Sequence, residues 1–533
     1  MEPVEIRNFY SARILEKIKK IKNLISNISY HSPVYGKLNL EEIPKKLEIT
    51  PPNLWLGEKE KGKFFLKKKI PNNKNSKDPD FFYYHSFAWL TDLRIIGNEN
   101  IRLHTRQVTR TWISNNKSWK SKTWDDYTLA LRISNWLKNY DFFFKTSEEN
   151  FREIFFKSIS DQINHLIKNF SNIKRNSELI TIIKTLIYVS ICIPNKNSLY
   201  QIAIFNLKTE LRKQILKDGC HFQRNPKIHL EVLVDLLDIS SILNTSGRNV
   251  FQDLQSTIKR MSVVNHFFLH KDNSLALFNE SSDTSVSNIK NIISNTPRPT
   301  KIPRELNSAG FQRINAKDTV VIVDCGVPID YNSTYKAHSS AVGFELSYKK
   351  KRIIINTGAG FKGKINKTTA AHSTLTLNNT NAYKILNNNY LSRVPNSIKV
   401  KRIERYNSNF LEIENYSYKK QYDSTHKRLL YINKDGTDIR GEENIYCPSE
   451  IVFDIRFYLD SSIKTSLINN GKAIILKLPN GDGWKFISSQ ERINVISNKY
   501  TDFNKQPKIN EHIHISGKTI ELITVVRWSL KKY

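Results

Sequence analysis

The chain has 533 residues, too many for one ordinary core, and at roughly 150 residues per domain it suggests two large units with smaller connecting parts. Its 83 Lys and Arg against 50 Asp and Glu leave a net charge of +33, a field that attracts nucleic acid, anionic membrane and acidic glycan alike. No apolar run reaches the roughly 18 to 20 residues of a membrane helix, and Cys192, Cys220, Cys325 and Cys447 lie too far apart for a disulfide framework or a cysteine zinc site.

The first 28 residues scatter basic groups through an amphipathic pattern, without the continuous apolar stretch and small-residue cleavage site of a Sec signal. With Pro33, Pro44, Pro51 and Pro52 and a lysine run near Lys67 to Lys74, residues 1–80 read as an arm and connecting layer. Apolar residues then recur at helical spacing over 81–278, as in WDDYTLALRISNWLKNY (Trp124 to Tyr140) and HLEVLVDLLDISSIL (His229 to Leu243), which predicts an all-helical domain. Residues 279–318 turn to Ser, Asn, Thr and Pro and read as a linker.

Over 319–533 the period drops to two and the segments shorten, as in TVVIVDCG (Thr319 to Gly326), GFELSYKKKRIIINTG (Gly343 to Gly358), HSTLTLNN (His372 to Asn379) and TIELITVVRWSL (Thr519 to Leu530). Short strands between turn signals predict an antiparallel β-sandwich. The expected fold class is therefore multidomain α+β.

The densest polar cluster of the helical half is DGCHFQRNPKIH, Asp218 to His229, a turn whose Pro226 opens a helix. Polar groups at a helix entrance suit an anion such as a carboxylate; an interhelical turn satisfying its own backbone donors accounts for the same residues equally well. In the β half, His338 and His372 each begin a predicted strand, where imidazoles can act as bases or metal ligands, although two distant histidines are more often unrelated.

Taken in order, these segments resemble the heparinase II/III-like family of polysaccharide lyases. DGCHFQRNPKIH is similar to that family's DGxHxERSPxYH motif, AHSSAVGFEL and RIIINTG to its HAHxDxxSFxL and DxG strands, and AAHSTLTLNN to its HNTLxVDG. HKRLLYINKDGTDIRGEEN (His426 to Asn444) and FDIRFYLD (Phe453 to Asp460) are similar to its HxRxLxL and RFHLHP segments. The resemblance implies an N-terminal incomplete (α/α) toroid followed by a C-terminal antiparallel β-sandwich. It also implies cleavage of an acidic, uronic-acid-containing glycan by β-elimination, in which the uronate carboxylate is neutralised, a base takes the α-proton and an acid protonates the leaving oxygen.

By the motif match, His221, Arg224 and His338 stand at catalytic positions and Gln223, Asn225 and Lys336 at substrate-binding ones, while His338 and His372 are where a structural zinc is implied. Departures accompany the match: Gln223 replaces Glu, Ile228 replaces Tyr, Lys336 replaces the first histidine of HAH, and Ser340 and Asn356 replace acidic residues. The tyrosine expected about fifty residues beyond the DGxH motif is missing from Asn265 to Ser281, where His266 and His270 are the nearby titratable groups. A lyase-derived glycan-binding or envelope-assembly protein is thus the alternative to an enzyme. Nonspecific nucleic-acid binding rests on charge alone, with no specific nucleic-acid motif beside it. The family implies the periplasm or cell envelope and the N-terminal pattern the cytoplasm; oligomeric state is not legible.

Overall fold

The computed structural model describes residues 43–533 except 68–78, 118–121, 171–172, 174–175, 330–334, 360–364, 387–389, 393 and 502–506. The amphipathic N-terminal segment and most of the lysine run lie outside the described residues. The chain divides into two compact units, one comprising residues 1–211 and 235–254 and the other 212–234 and 255–533.

The first unit is helical. Its longer helices are Glu99–Asn115, Asp126–Lys138, Glu149–Asn169, Ser177–Cys192 and Asn197–Gln214. Asn98, Asp125 and Asn176 start three of them by accepting a backbone N–H with their side chains, which satisfies donors that have no partner within the helix. Small hydroxyl residues let two helices approach closely: Ser134 Oγ lies 2.8 Å from Thr185 Oγ1, which donates to the Ala130 carbonyl at 3.0 Å. Phe87, Trp112 and Trp136 pack edge to face in the core, at centroid distances of 5.1 to 6.0 Å. Trp124 is buried in this wall and its indole donates to the Asn116 carbonyl.

Lys184 is buried in the helix Ser177–Cys192 and pairs with Asp235 at 2.5 Å and Asp238 at 3.5 Å. Burial opposes its charge, but the two carboxylates outweigh that effect and raise its pKa. The indole of Trp55 donates to Asp238 at 2.8 Å, so the buried charges are paired and hydrogen-bonded together.

The second unit contains two antiparallel sheets whose strands are numbered in chain order. One runs β1 (Glu305–Leu306), β2 (Phe311–Ala316), β3 (Thr319–Asp324), β4 (Phe344–Tyr348), β5 (Lys351–Ile355), β11 (Val452–Leu459), β16 (Pro507–Lys518) and β15 (Asn494–Thr501), with β6 (Leu375–Leu377) also on β11. The other runs β12 (Lys464–Ile468), β13 (Ala473–Lys477), β14 (Gly483–Ser488), β17 (Ile523–Lys532), β10 (Asp438–Tyr446), β9 (Thr425–Asn433), β8 (Ser408–Asn415) and β7 (Ile398–Arg405). Inward residues of both sheets, among them Phe344, Phe457, Ile474, Phe486 and Trp528, form one core, as alternation on facing sheets requires.

One polar cluster crosses that core. Arg428 on β9 lies opposite Glu443 on β10, with Nε 2.9 Å from the carboxylate, while His426 and the Trp528 indole donate to it at 2.6 and 3.0 Å. Although burial opposes the charge, Arg428 and His426 hold the Glu443 pKa down to about 2. Gly441 is required beside this cluster, because a Cβ there would meet the Trp528 ring at 2.1 Å.

The segment read as a linker is structured in part. The helix Val286–Ser294 buries Ile289 and Ile292, and β1 and β2 fall before residue 318. Its apolar residues are spaced three or four apart within a polar background, which suffices to cover one helix face. Residues 212–234, read with the helical domain, belong to the same unit as the sandwich.

Candidate functional site

The polar loop ends at Asn225, which accepts the Ile228 N–H at 3.0 Å and so caps the helix Pro226–Thr245 opened by Pro226. Earlier in the loop, Gly219 takes a left-handed φ of 90° and packs against Arg260, a position where a side chain is both strained and obstructed. Asp218 accepts the Ala309 N–H at 2.8 Å and thereby joins the loop to the start of the sandwich.

His221 is fully buried. Its Nδ1 accepts the Gln223 N–H at 3.4 Å and its Nε2 faces Gln214 Oε1 at 3.0 Å, which places the proton on Nε2 and makes the ring neutral. Burial, reinforced by His229 and Lys336, holds its pKa well below the ordinary histidine range. The ring is thus a fixed hydrogen-bonding group with both nitrogens engaged. Gln223 is also buried, and its Oε1 has no hydrogen-bond partner among the described residues.

Arg224 adopts a left-handed φ of 56° and turns its guanidinium into the protein. It donates to Asp324 and to the Ala309 carbonyl, and lies 4.7 Å from the centroid of the Phe311 ring. Asp324 also accepts from Ser340 Oγ at 2.8 Å. Arg224, expected at a catalytic position, is placed as a clamp between the loop and β3.

Asn279 connects the expected residues. Its Nδ2 donates to the Arg224 carbonyl at 2.9 Å, its Oδ1 accepts the His338 N–H at 3.0 Å, and its own carbonyl accepts from Asn225 Nδ2. Asn279 and Glu280 both have positive φ, at 52° and 56°. Together with Arg224 they concentrate left-handed backbone in one place, a pattern that surrounding contacts must sustain.

Beside this staple stand two lysines. Lys336 is half-buried and within electrostatic reach of both His221 and Lys367. Lys367 donates to the Tyr335 carbonyl, pairs with Glu280 at 3.4 Å and lies 5.2 Å from the centre of the Tyr335 ring. Burial lowers its pKa, Glu280 opposes that shift and Lys336 adds to it. His338 is buried nearby, with neither ring nitrogen hydrogen-bonded among the described residues. Buried polar atoms left open beside cations are the condition a polar ligand relieves.

Residues 90–301 match the heparinase II/III N-terminus and residues 298–529 match the heparinase II/III-like, C-terminal domain. The chain belongs to the heparinase II/III-like family. It is 23% identical over 479 residues to FtsZ-localized protein C of Caulobacter vibrioides (strain NA1000 / CB15N), an alignment covering 84% of this chain and 81% of that protein. Among solved structures, heparinase III aligns at a TM-score of 0.69 and 14% identity over 90% of this chain and 82% of that one. The heparan sulfate lyase HepC from Pedobacter heparinus aligns at 0.59 and 14% identity over 87% and 79%. The expected fold class, an (α/α) toroid followed by an antiparallel β-sandwich, is the fold of this heparinase II/III-like chain.

The zinc implied by the resemblance finds a poor donor set. The His338 and His372 rings are 5.2 Å apart, but the neighbouring group is the neutral amide of Asn356, whose Oδ1 lies 3.3 Å from His372 Nδ1. His372 Nε2 faces the Asn366 carbonyl at 3.1 Å. Among the described residues no three His, Cys, Asp or Glu side chains converge on a metal position, and two imidazoles with an amide fall short of a structural zinc site.

His266 and His270, the nearby titratable groups, each have hydrogen-bond partners within the fold. His270 is buried between Glu345 at 2.9 Å and Ser347 at 2.8 Å, and His266 faces the Ser262 carbonyl in its own helix. Asn279, Glu280 and Lys367 were missed in the sequence, the first two because they open a stretch that reads as linker and the third because it sits in an aperiodic loop.

Proposed function

We propose that this protein cleaves an acidic, uronate-containing polysaccharide by β-elimination. The observation that carries the reading is the pair Lys336 and Lys367, within electrostatic reach of each other and set beside the open ring nitrogens of His338. Two ammonium groups neutralise a uronate carboxylate, and neutralising it is what allows the α-proton to leave and the glycosidic bond to break. Asn225 supports the surface indirectly by capping the helix and holding Asn279. His221 and Arg224 shape it from beneath, since one is buried and neutral and the other is tied to Asp324. The family membership and the heparinase fold support the same reaction class, and contact with acidic glycan suits the periplasm or cell envelope.

A second reading is glycan binding without turnover, within an envelope-assembly role. It is favoured by Lys336 in the place of the expected histidine and by the relative named for its localisation with FtsZ. Incubation with heparan sulfate, chondroitin sulfate and alginate separates the readings. Cleavage raises ultraviolet absorbance as unsaturated uronate ends form. Saturable binding with no absorbance gain on any polymer supports the second reading, and neither binding nor cleavage overturns both.

A further inference from the structure

The outer face of the second sheet, which the lyase reading leaves unused, carries a groove of about 510 Å³. Residues paired across an antiparallel ladder share a face, and one row of the groove crosses five strands in register: Ile487 on β14, Ser529 on β17, Arg440 on β10, Tyr431 on β9 and Phe410 on β8. Five strands at about 4.8 Å spacing make this row about 19 Å long, the scale of a short oligosaccharide. Ser529 is short between taller neighbours, so the row is hollow over β17. Arg428, inward on the same strand as Tyr431, donates across the core to the Val342 and Ser373 carbonyls at 2.8 and 3.0 Å. The groove and the loops bearing His338 and His372 therefore lie on opposite sides of this sheet.

The charged lining is three cations, Arg440, Arg527 and Lys531, against one carboxylate, Glu442. Arg527 pairs with Glu442 at 2.8 Å through Nε alone, and its side chain is 69% exposed against 27% for the carboxylate, so an incoming ligand meets the guanidinium first. Arg440 is held at 2.6 Å by the less exposed Asp438 and lies 5.5 Å from the centre of the Tyr431 ring. In the next row Lys531 stands opposite Lys485, a like-charge pairing that a sheet disfavours and an anion relieves. A symmetric contact with a second copy of the chain brings these cations together and is disfavoured by the same repulsion. An aromatic ring beside guanidinium groups receives the apolar face of a sugar while the guanidinium takes its carboxylate. We propose that this groove is a second binding site for acidic glycan, with Tyr431 against a sugar ring and Arg440 and Arg527 on the carboxylates. The ligand class rests on the lyase reading above, whereas the groove binds such a chain without cleaving it. Its cations are solvent-exposed, so it is a weak site, effective at about 0.02 M salt and largely screened at about 0.2 M.

The test is a calorimetric titration of the full chain at about 0.02 M salt with hexasaccharides of heparan sulfate and alginate. The Lys336→Ala, Lys367→Met background removes the first site and leaves the groove as the remaining saturable one. In that background Tyr431→Ala, which changes no charge, and Arg440→Gln are each expected to weaken binding about 10-fold, and Tyr431→Phe to keep most of it. Duplex DNA should bind the Tyr431→Ala protein as it binds wild type, because the overall field is intact. Both positions face outward, and an unchanged unfolding transition confirms the fold. No saturable binding in the Lys336→Ala, Lys367→Met background, or binding that Tyr431→Ala and Arg440→Gln leave unchanged, overturns the groove and leaves the lyase reading standing. A wild-type protein that cleaves no polymer but whose hexasaccharide binding falls with Tyr431→Ala removes the lyase reading and keeps the groove. Sedimentation as a dimer that Arg440→Gln dissociates assigns the face to a second copy and overturns the proposal.

Discussion

Arg224 combines a left-handed backbone, a buried ion pair and a ring contact in a single residue. Its guanidinium approaches so closely that a Cβ on Gly326 would meet it at 2.4 Å, and the glycine after Asp324 and Cys325 is therefore part of the same arrangement. Arg224→Met leaves the Asp324 carboxylate buried with Ser340 Oγ and the Gly326 N–H as its remaining donors. Breaking a buried pair from one side costs about 3 kcal/mol or more. Denaturant unfolding should show that loss. Stability within about 0.5 kcal/mol of wild type, accompanied by lost polymer binding, would instead restore the anion-binding role that the motif implies for this residue.

At the scale of elements, buried histidines hold segments together in their neutral form. His229, on the helix Pro226–Thr245, accepts the His221 N–H at Nδ1 and faces the Met261 carbonyl with Nε2 at 2.8 Å. Burial depresses its pKa to about 4 against the favourable pull of the Met261 carbonyl and Asp218. His85 in the helical unit, accepting the Trp112 indole N–H at 2.9 Å, is likewise pushed down to about 4 by burial and by Arg132. The folded pKa lies below the unfolded value near 6.5, so the unfolded chain binds the proton first as pH falls. The contribution is complete above about 6.5 and disappears toward about 4, on the order of 1–3 kcal/mol for each such ring. Glu443, held at about 2, extends the loss below the ordinary glutamate range. The thermal midpoint should therefore decline from pH 7 to pH 5 and keep declining below it; a midpoint flat over the first interval contradicts the neutral-histidine account.

The same scale shows what the sequence makes legible. Helix periodicity from Trp124 onward reflects local burial, whereas the short apolar run Thr319 to Asp324 forms a strand buried along its whole length, and both elements form where the sequence puts them. The ordered motifs carried the fold class. The site depends on contacts distant in sequence, such as Arg224 with Asp324 and Lys367 with Glu280, which no period encodes. Asn279 is invisible for a related reason: its role lies in three hydrogen bonds to two other segments, made from a left-handed backbone that asparagine tolerates.

For the molecule as a whole, the question is whether the +33 charge or the assembled site selects the partner. A dispersed positive field draws in any polyanion, and its effect falls as salt shortens the screening length from about 10 Å at 0.1 M toward about 3 Å at 1 M. Duplex DNA should therefore bind at low salt and dissociate steeply as salt rises. If uronate binds at Lys336 and Lys367 as proposed, short-range hydrogen bonds add to the field, so its binding should survive to higher salt. The double variant Lys336→Ala with Lys367→Met removes two of 83 basic residues, a change too small to abolish the general field. It is expected to lose saturable binding of the uronate polymer at about 0.2 M salt, where screening already suppresses distant charges, while keeping wild-type affinity for duplex DNA at low salt. Parallel losses for both polymers would mean that the two lysines act only as part of the overall charge, and the selective site would have to be sought elsewhere on the chain.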